Sequence, residues 1–376
     1  MEFTTGGRLE VRITASDVGK RVSVRSLTGF GERAGDPSPK FTDTVGVLTS
    51  WTGGVLMITR RGGETVRLAE GDLVAAKVIP AAPARRRGVP AATVRELQET
   101  AARGWPAPET ARLGEWTLRA AVAEGPGDGG TGHGEPPYGE AREGFTRRAN
   151  SVLPLGGPGL PLPQALEAVE RWYAERGLPP LVQVATGAED EEEEPRVARP
   201  TGAVAGRRAG LLAGELESRG WTAEGHTLMR VGALAPLADR EPDARVELSR
   251  EPDEGWTAMY RRTGQLADVA RTVLTGGPSV WFATVRDAGS GYPAAIGRCV
   301  VDGRWAGFAA VETAAERRRE GLARSVMAEL ARRALDEGAS AAYLQVEADN
   351  AEARGLYDAL GFADHHAYHY RRAPRD

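Results

Sequence analysis

The sequence predicts a mixed α/β fold in which one α/β unit is written twice, behind a small β-rich module. Three observations carry this reading. From Glu10 to Pro80 short apolar runs alternate with turn residues, the pattern of strands. From Leu162 to Val231 the order is helix, strand, helix, Gly220-Trp221, strand, and from Arg319 to Arg371 it is helix, strand, helix, Gly361-Phe362, strand. The inner strands also agree in text, Val182-Gln183-Val184 against Leu344-Gln345-Val346, as a duplication predicts.

In chain order, Val11–Ile13, Arg21–Ser26, Thr44–Ser50, Val55–Thr59, Thr65–Leu68 and Leu73–Ile79 read as strands, with Gly53-Gly54 and Gly62-Gly63 at hairpin spacing. So many short strands in so little chain suggest an SH3-like barrel over 1–80. Pro80–Pro90 reads as a linker and Ala91–Arg103 as a helix, together the segment 81–114. The first α/β unit, 115–240, begins with a strand at Trp116–Val122 and a Gly/Pro-rich insertion, Glu124–Gly144. A strand-like Arg147–Leu153 precedes the amphipathic helix Leu162–Arg176, which Gly177 and Pro179 end. Strand Leu181–Ala185, the solvated acidic run Glu189–Glu194, helix Ala205–Arg219 and strand His226–Val231 complete it. The second unit, 241–376, has a helix at Gly255–Thr275 and strands at Val280–Arg286, Ala294–Val301 and Trp305–Thr313. Helix Arg319–Glu337, strand Ala341–Val346, helix Ala351–Leu360 and strand Ala367–Arg371 follow.

Composition narrows the function classes. The chain has 376 residues, 48 basic against 52 acidic side chains and a formal net charge of −4, so nothing draws it generally to nucleic acid or anionic lipid. Its one cysteine, Cys299, excludes an internal disulfide framework and any cysteine-cluster metal site, and reads as a buried small residue. His365, His366 and His369 lack acidic or cysteine partners at ligand spacing, so no metal is assigned. There is no signal-like apolar stretch and no membrane span, and a cytoplasmic location is the expectation.

The chemistry is concentrated in two stretches. In the first, Val311-Glu312-Thr313 ends a strand, Arg317-Arg318-Arg319 forms a basic loop, and Gly321-Leu322-Ala323 opens a helix. A helix start presents unpaired N–H groups and the positive end of the macrodipole, and Gly321 lets an anion come close, so a phosphate fits there. The second is Asn350-x-x-Ala353-x-x-Leu356-Tyr357-x-x-Leu360-Gly361-Phe362. Arg318-x-x-Gly321-x-Ala323 followed by this stretch, with one helix and one strand between, resembles the GNAT superfamily of acyl-CoA-dependent N-acyltransferases over about Trp281–Tyr370.

The resemblance implies acetyl-CoA as donor and a mixed sheet flanked by helices. It implies that Val311 and Thr313 flank the pantetheine arm, and that amides around Arg318, Arg319, Gly321, Leu322 and Ala323 hold the pyrophosphate. It further implies that Asn350 contacts the arm and that Tyr357 protonates the departing thiolate. The expected catalysis is positioning plus polarisation of the thioester by an amide near Val311, for direct attack by an amine. Glu312 is the candidate base, with Asp302 and His226 as outside candidates. The segment 155–161 has no arginine at the matching place and two prolines, so 115–240 is expected to be a degenerate half that supports the catalytic one. The expected partner is an amine-bearing acceptor, small molecule or protein; nucleic acid is not expected, and a homodimer stays open. The alternative function is an acyl-CoA-binding regulatory protein without transferase activity.

Overall fold

The computed structural model describes residues 11–30, 39–60, 63–79, 87–122, 144–186, 202–260 and 267–374. The acidic run Glu189–Glu194, the insertion up to residue 143 and residues 80–86 of the linker lie outside them.

At the N-terminus, strands β1 (Arg21–Phe30), β2 (Pro39–Thr52), β3 (Val55–Thr59), β4 (Thr65–Ala69) and β5 (Leu73–Val78) form an antiparallel sheet in the order β4-β3-β2-β1-β5. Alternation puts Val22, Val24, Leu48, Leu56 and Ile58 on one face as its core. β5 returns to pair with β1 after a helical turn at Glu70–Asp72, and no β4–β5 ladder is found among the described residues. Val11–Ile13 is not a strand but a single bridge, Val11 to Ala76.

Helix α1 (Val94–Gly104) starts at Thr93, whose hydroxyl accepts the Glu96 N–H. Strands β6 (Glu109–Leu113), β7 (Trp116–Ala120) and β8 (Leu153–Pro154) make a small sheet. Then come α2 (Leu162–Ala174), β9 (Leu181–Thr186), α3 (Gly202–Ser218), β10 (Thr222–Ala233), α4 (Leu234–Ala238) and β11 (Val246–Ser249). The remainder is α5 (Glu254–Met259), α6 (Ala267–Thr275), β12 (Val280–Arg286), β13 (Pro293–Asp302), β14 (Trp305–Thr313), α7 (Leu322–Asp336), β15 (Ala341–Glu347), α8 (Ala351–Ala359) and β16 (Ala363–Arg372). Two readings change. Gly255–Thr275 is two helices, and Arg147–Leu153 is a helical turn followed by the short β8. There the Asn150 side chain donates to the Phe145 and Thr146 carbonyls and accepts the Ala121 N–H, so the backbone wraps around a side chain instead of running along a strand.

One large sheet joins the two α/β units, in the order β11-β12-β13-β14-β15-β10-β16-β9. Its right-hand part is nearly a palindrome. β15 and β9 follow equivalent helices, β10 and β16 end equivalent units, and each unit's last strand lies beside the other unit's inner strand. The parallel β14–β15 pair has its counterpart in a parallel bridge from Val152 to Val182. The two units have thus exchanged last strands, and neither completes its sheet alone. Leu322, Val326, Met327, Leu330 and Ala334 pack α7 onto one face of the sheet. Burial of each large side chain among them contributes roughly 1.5–3 kcal/mol. The opposite face is covered by α1 through Leu97 and Ala101, and by α5 and α6 through Trp256, Val273 and Leu274.

Candidate functional site

Two local departures from regularity open a cleft at the centre of the sheet. The β13–β14 register runs Arg298↔Ala309 and then Ile296↔Glu312, so Ala310 and Val311 together face Gly297 in a bulge. Ala310 has φ 51°, a left-handed value uncommon outside glycine. Gly297 is required there, because a Cβ would lie 2.5 Å from Val326 Cγ1 on α7. Immediately beside the bulge β14 parts from β15. Their last rung is Phe308↔Leu344, yet β14 continues to Thr313 and β15 to Glu347. The facing edges of 309–313 and 345–347 therefore present backbone groups to a gap, the arrangement in which an extended amide-bearing chain adds as a strand.

Beyond Thr313 the chain turns to the start of α7. Arg319 has φ 67° and Gly321, the N-cap, φ 80°. Left-handed residues alternating in this way suit an anion nest, and the first N–H groups of the helix have no intrahelical acceptor. A Cβ on Gly321 would meet nothing within 4 Å, so the space before the nest is open. The three arginines divide their work. Arg317 is spent on structure: its Nε and Nη2 donate to Glu320 at 2.7 and 2.8 Å, and its Nη1 to Asp287 of the β12–β13 hairpin. Arg318 reaches Glu352 at the start of α8 at 3.2 Å, an exposed pair worth little in energy, while Arg319 is exposed.

Asn350 is the N-cap of α8, its Oδ1 accepting the Ala353 N–H at 3.0 Å. Tyr357 sits on the buried side of α8, edge-on to Phe362. Burial pushes its phenol up to about 12, Arg230 pulling the other way, so it is neutral at pH 7. No hydrogen bond to its hydroxyl is found among the described residues. Glu312 stands opposite Ile296 in register and so shares that residue's face, the one turned away from α7. Asp302 is at the far end of β13, 2.7 Å from Arg103, and does not reach the gap. His226 lies in a bulge of β10; its carbonyl accepts the Ala348 N–H and its ring stacks on His369.

Sequence reasoning missed the residues that hold this assembly from outside. Arg230, on β10 of the other unit, lies between Asp358 (2.5 Å) and Asp364 (2.6 Å) and donates to the Arg354 and Phe362 carbonyls, clamping α8 to the sheet. Only the strand exchange brings it there, so no local motif marks it. In the first unit the glycine-rich loop before α2 is contacted by an acidic side chain. The Gly157 N–H donates to Glu115 Oε2 at 2.8 Å, and a Cβ on Gly156 would collide with the same carboxylate. Glu115 thus meets the loop before α2 at Gly157, four residues ahead of that helix's N-cap, Pro161, and Arg95 pairs with it in turn.

A parallel pair splayed behind a bulge and a helix opening beside its open end together form the candidate site. Residues 212–371 match the family model described as "Probable histone acetyltransferase Rv0428c C-terminal". The chain is 27% identical over 362 residues to a protein of Mycobacterium tuberculosis named Probable histone acetyltransferase Rv0428c, covering 94% of each. Similar solved structures include a GCN5-related N-acetyltransferase from Kribbella flavida, at 20% identity over 57% of this chain and 76% of that one, with a TM-score of 0.39. Another is a tandem GNAT protein from the clavulanic acid biosynthesis pathway, at 13% identity over 57% and 70%, with a TM-score of 0.42. Among the described residues, no helix is long and apolar enough to cross a membrane.

Proposed function

We propose that the protein transfers an acetyl group from acetyl-CoA to a primary amine, with both substrates bound at once. The observation that carries this reading is the nest at Arg319–Gly321 standing directly beyond the open end of the β14–β15 gap. In this reading the amides of Gly321, Leu322 and Ala323 bind the pyrophosphate with Arg318 and Arg319 at its margin, and the edges of Val311, Thr313 and the segment before Asn350 receive the pantetheine. The neutral amine attacks the thioester carbon, a C–N bond forms and the C–S bond breaks. The sulfur takes the Tyr357 proton, and the proton shed by nitrogen passes to Glu312, directly or through one water. The relative's name points to a protein amine, and a protein amine is one member of this acceptor class.

The reading is tested by calorimetry with acetyl-CoA and by thiol release with a panel of amines. One acetyl-CoA per chain is expected, since the loop before α2 carries two prolines and an acidic contact from Glu115; two per chain would contradict that account. Tyr357→Phe is expected to lower kcat by on the order of 10²-fold or more with little change in acetyl-CoA affinity. Tight binding with no transfer to any amine would favour a regulatory acyl-CoA-binding protein instead.

A further inference from the structure

On the face of the sheet turned away from α7, three guanidinium groups gather without a carboxylate. Arg119 and Arg298 are enclosed, Arg119 donating to the Ser151 carbonyl, the Ser151 hydroxyl and Gln183, and Arg298 to the carbonyls of Leu274 and Gly276. Arg148 is half-buried between them. Its guanidinium lies 4.2 Å from the Trp105 ring centroid, and that of Arg298 lies 5.1 Å from the same centroid. Arg148 Nη1 donates to Gln345 Oε1 at 2.7 Å. Gln345 is the first residue of β15 past its last rung with β14, so Arg148 stands at the throat of the gap, on the face that Glu312 shares.

No carboxylate pairs with any of the three among the described residues, whereas the next residue, Arg147, has Glu224 and Glu347. The tyrosines packed around them, Tyr343, Tyr368 and Tyr370, are buried and held protonated, so they supply no negative charge. Arg148 Nε and Nη2 have no acceptor among the described residues. Cations left unpaired in a low-dielectric chamber cost free energy, and they raise the potential for an anion that enters.

We propose that Arg148 binds an oxyanion, carboxylate or phosphate, carried by the acceptor amine. Its planar fork suits either group, and the enclosed Arg119 and Arg298 add field without contact. This rests on the acetyltransferase reading and adds the substrate class: an amine that also bears an acidic group. The test uses the full-length protein, acetyl-CoA and matched acceptors, read by thiol release. These are amino acids against their methyl esters, O-phosphoethanolamine against ethanolamine, and a lysine-containing histone-tail peptide.

The acidic member of one pair is expected to be preferred by about 10- to 100-fold in kcat/KM, the amino-acid pair pointing to carboxylate and the other to phosphate. Arg148→Met should erase the preference and Arg148→Lys should keep part of it, with acetyl-CoA affinity unchanged in both. Equal or faster turnover of the esters, ethanolamine or the peptide would overturn the proposal. If acetyl-CoA binds and no amine reacts, N-acetylglycine and N-acetyl-phosphoethanolamine titrated into the CoA complex decide. Binding that Arg148→Met removes supports the proposal, and no binding to the unsubstituted protein overturns it. Failure of acetyl-CoA itself to bind would remove the acetyltransferase reading, and this one with it.

Discussion

Gly321→Glu is expected to abolish acetyl-CoA binding while leaving the fold intact, and Gly321→Ala to weaken it by about ten-fold. The residue sits at φ 80°, where any L side chain costs roughly 1–2 kcal/mol. A Cβ there meets nothing within 4 Å, so the substitution does not break packing. Its effect falls on the nest, which relaxes toward an ordinary turn, and on the space before it. Glutamate adds a carboxylate at the positive end of α7, which satisfies the amides from within and repels a diphosphate. Calorimetry should find no heat for Gly321→Glu and a thermal melt close to that of the unsubstituted protein. Undiminished binding by Gly321→Glu would mean that the nest is not the cofactor site.

The parts of the molecule legible in sequence are those where a local rule decides. Gly321 before an apolar helical stripe marked the start of α7, and Asn350 marked that of α8, where it is an N-cap. The repeated helix–strand order announced two like units. The strand exchange was not legible, because either inner strand offers β10 and β16 an equivalent edge, and only the assembled sheet selects between them. Arg230 and Arg148 were hidden for the same reason. Both belong to the first unit and meet groups of the second, Asp358 and Gln345, far away in sequence. The turn at Arg147–Ala149 was hidden by a single buried amide, Asn150, whose bonds outweigh the strand-like text around it. The basic run was legible as charge but not as division of labour: Arg317 is consumed by Glu320 and Asp287, and only Arg318 and Arg319 stand at the margin of the nest.

Glu337→Ala is expected to destabilise the protein by on the order of 3–5 kcal/mol without changing acetyl-CoA affinity. Glu337 closes α7 at the end opposite the nest, about 22 Å away at 1.5 Å per residue. Its side chain is fully buried. It accepts from Trp281 Nε1 at 2.7 Å, Ser279 Oγ at 2.6 Å and Arg250 Nη2 at 3.2 Å, with Arg333 at 3.3 Å. Arg250 and Arg333 both stack on the Trp281 ring, at 3.7 and 4.2 Å. Arg250 continues to Asp43 at 3.0 Å, and Asp43 to Arg25, so this network bolts the N-terminal sheet to the large one. Removing the carboxylate leaves the Arg333 guanidinium on the Trp281 ring without its counter-ion, while Arg250 keeps Asp43, Ser279 and the Val280 carbonyl. Burial alone would raise the carboxyl pKa of Glu337, but Arg250, Arg333 and the Ser279 hydroxyl outweigh it and hold the pKa below the ordinary value; Asp43 behaves likewise, held down by Arg25 and Arg250. Groups depressed in the folded state stabilise it fully above their unfolded pKa values, near 4, and lose that contribution as pH falls through the folded ones. Stability of the unsubstituted protein should therefore decline below about pH 4, and that of Glu337→Ala should decline less steeply. Denaturant melts from pH 7 to pH 3 measure both slopes, and parallel curves would show that Glu337 is not held below its ordinary pKa in the folded protein.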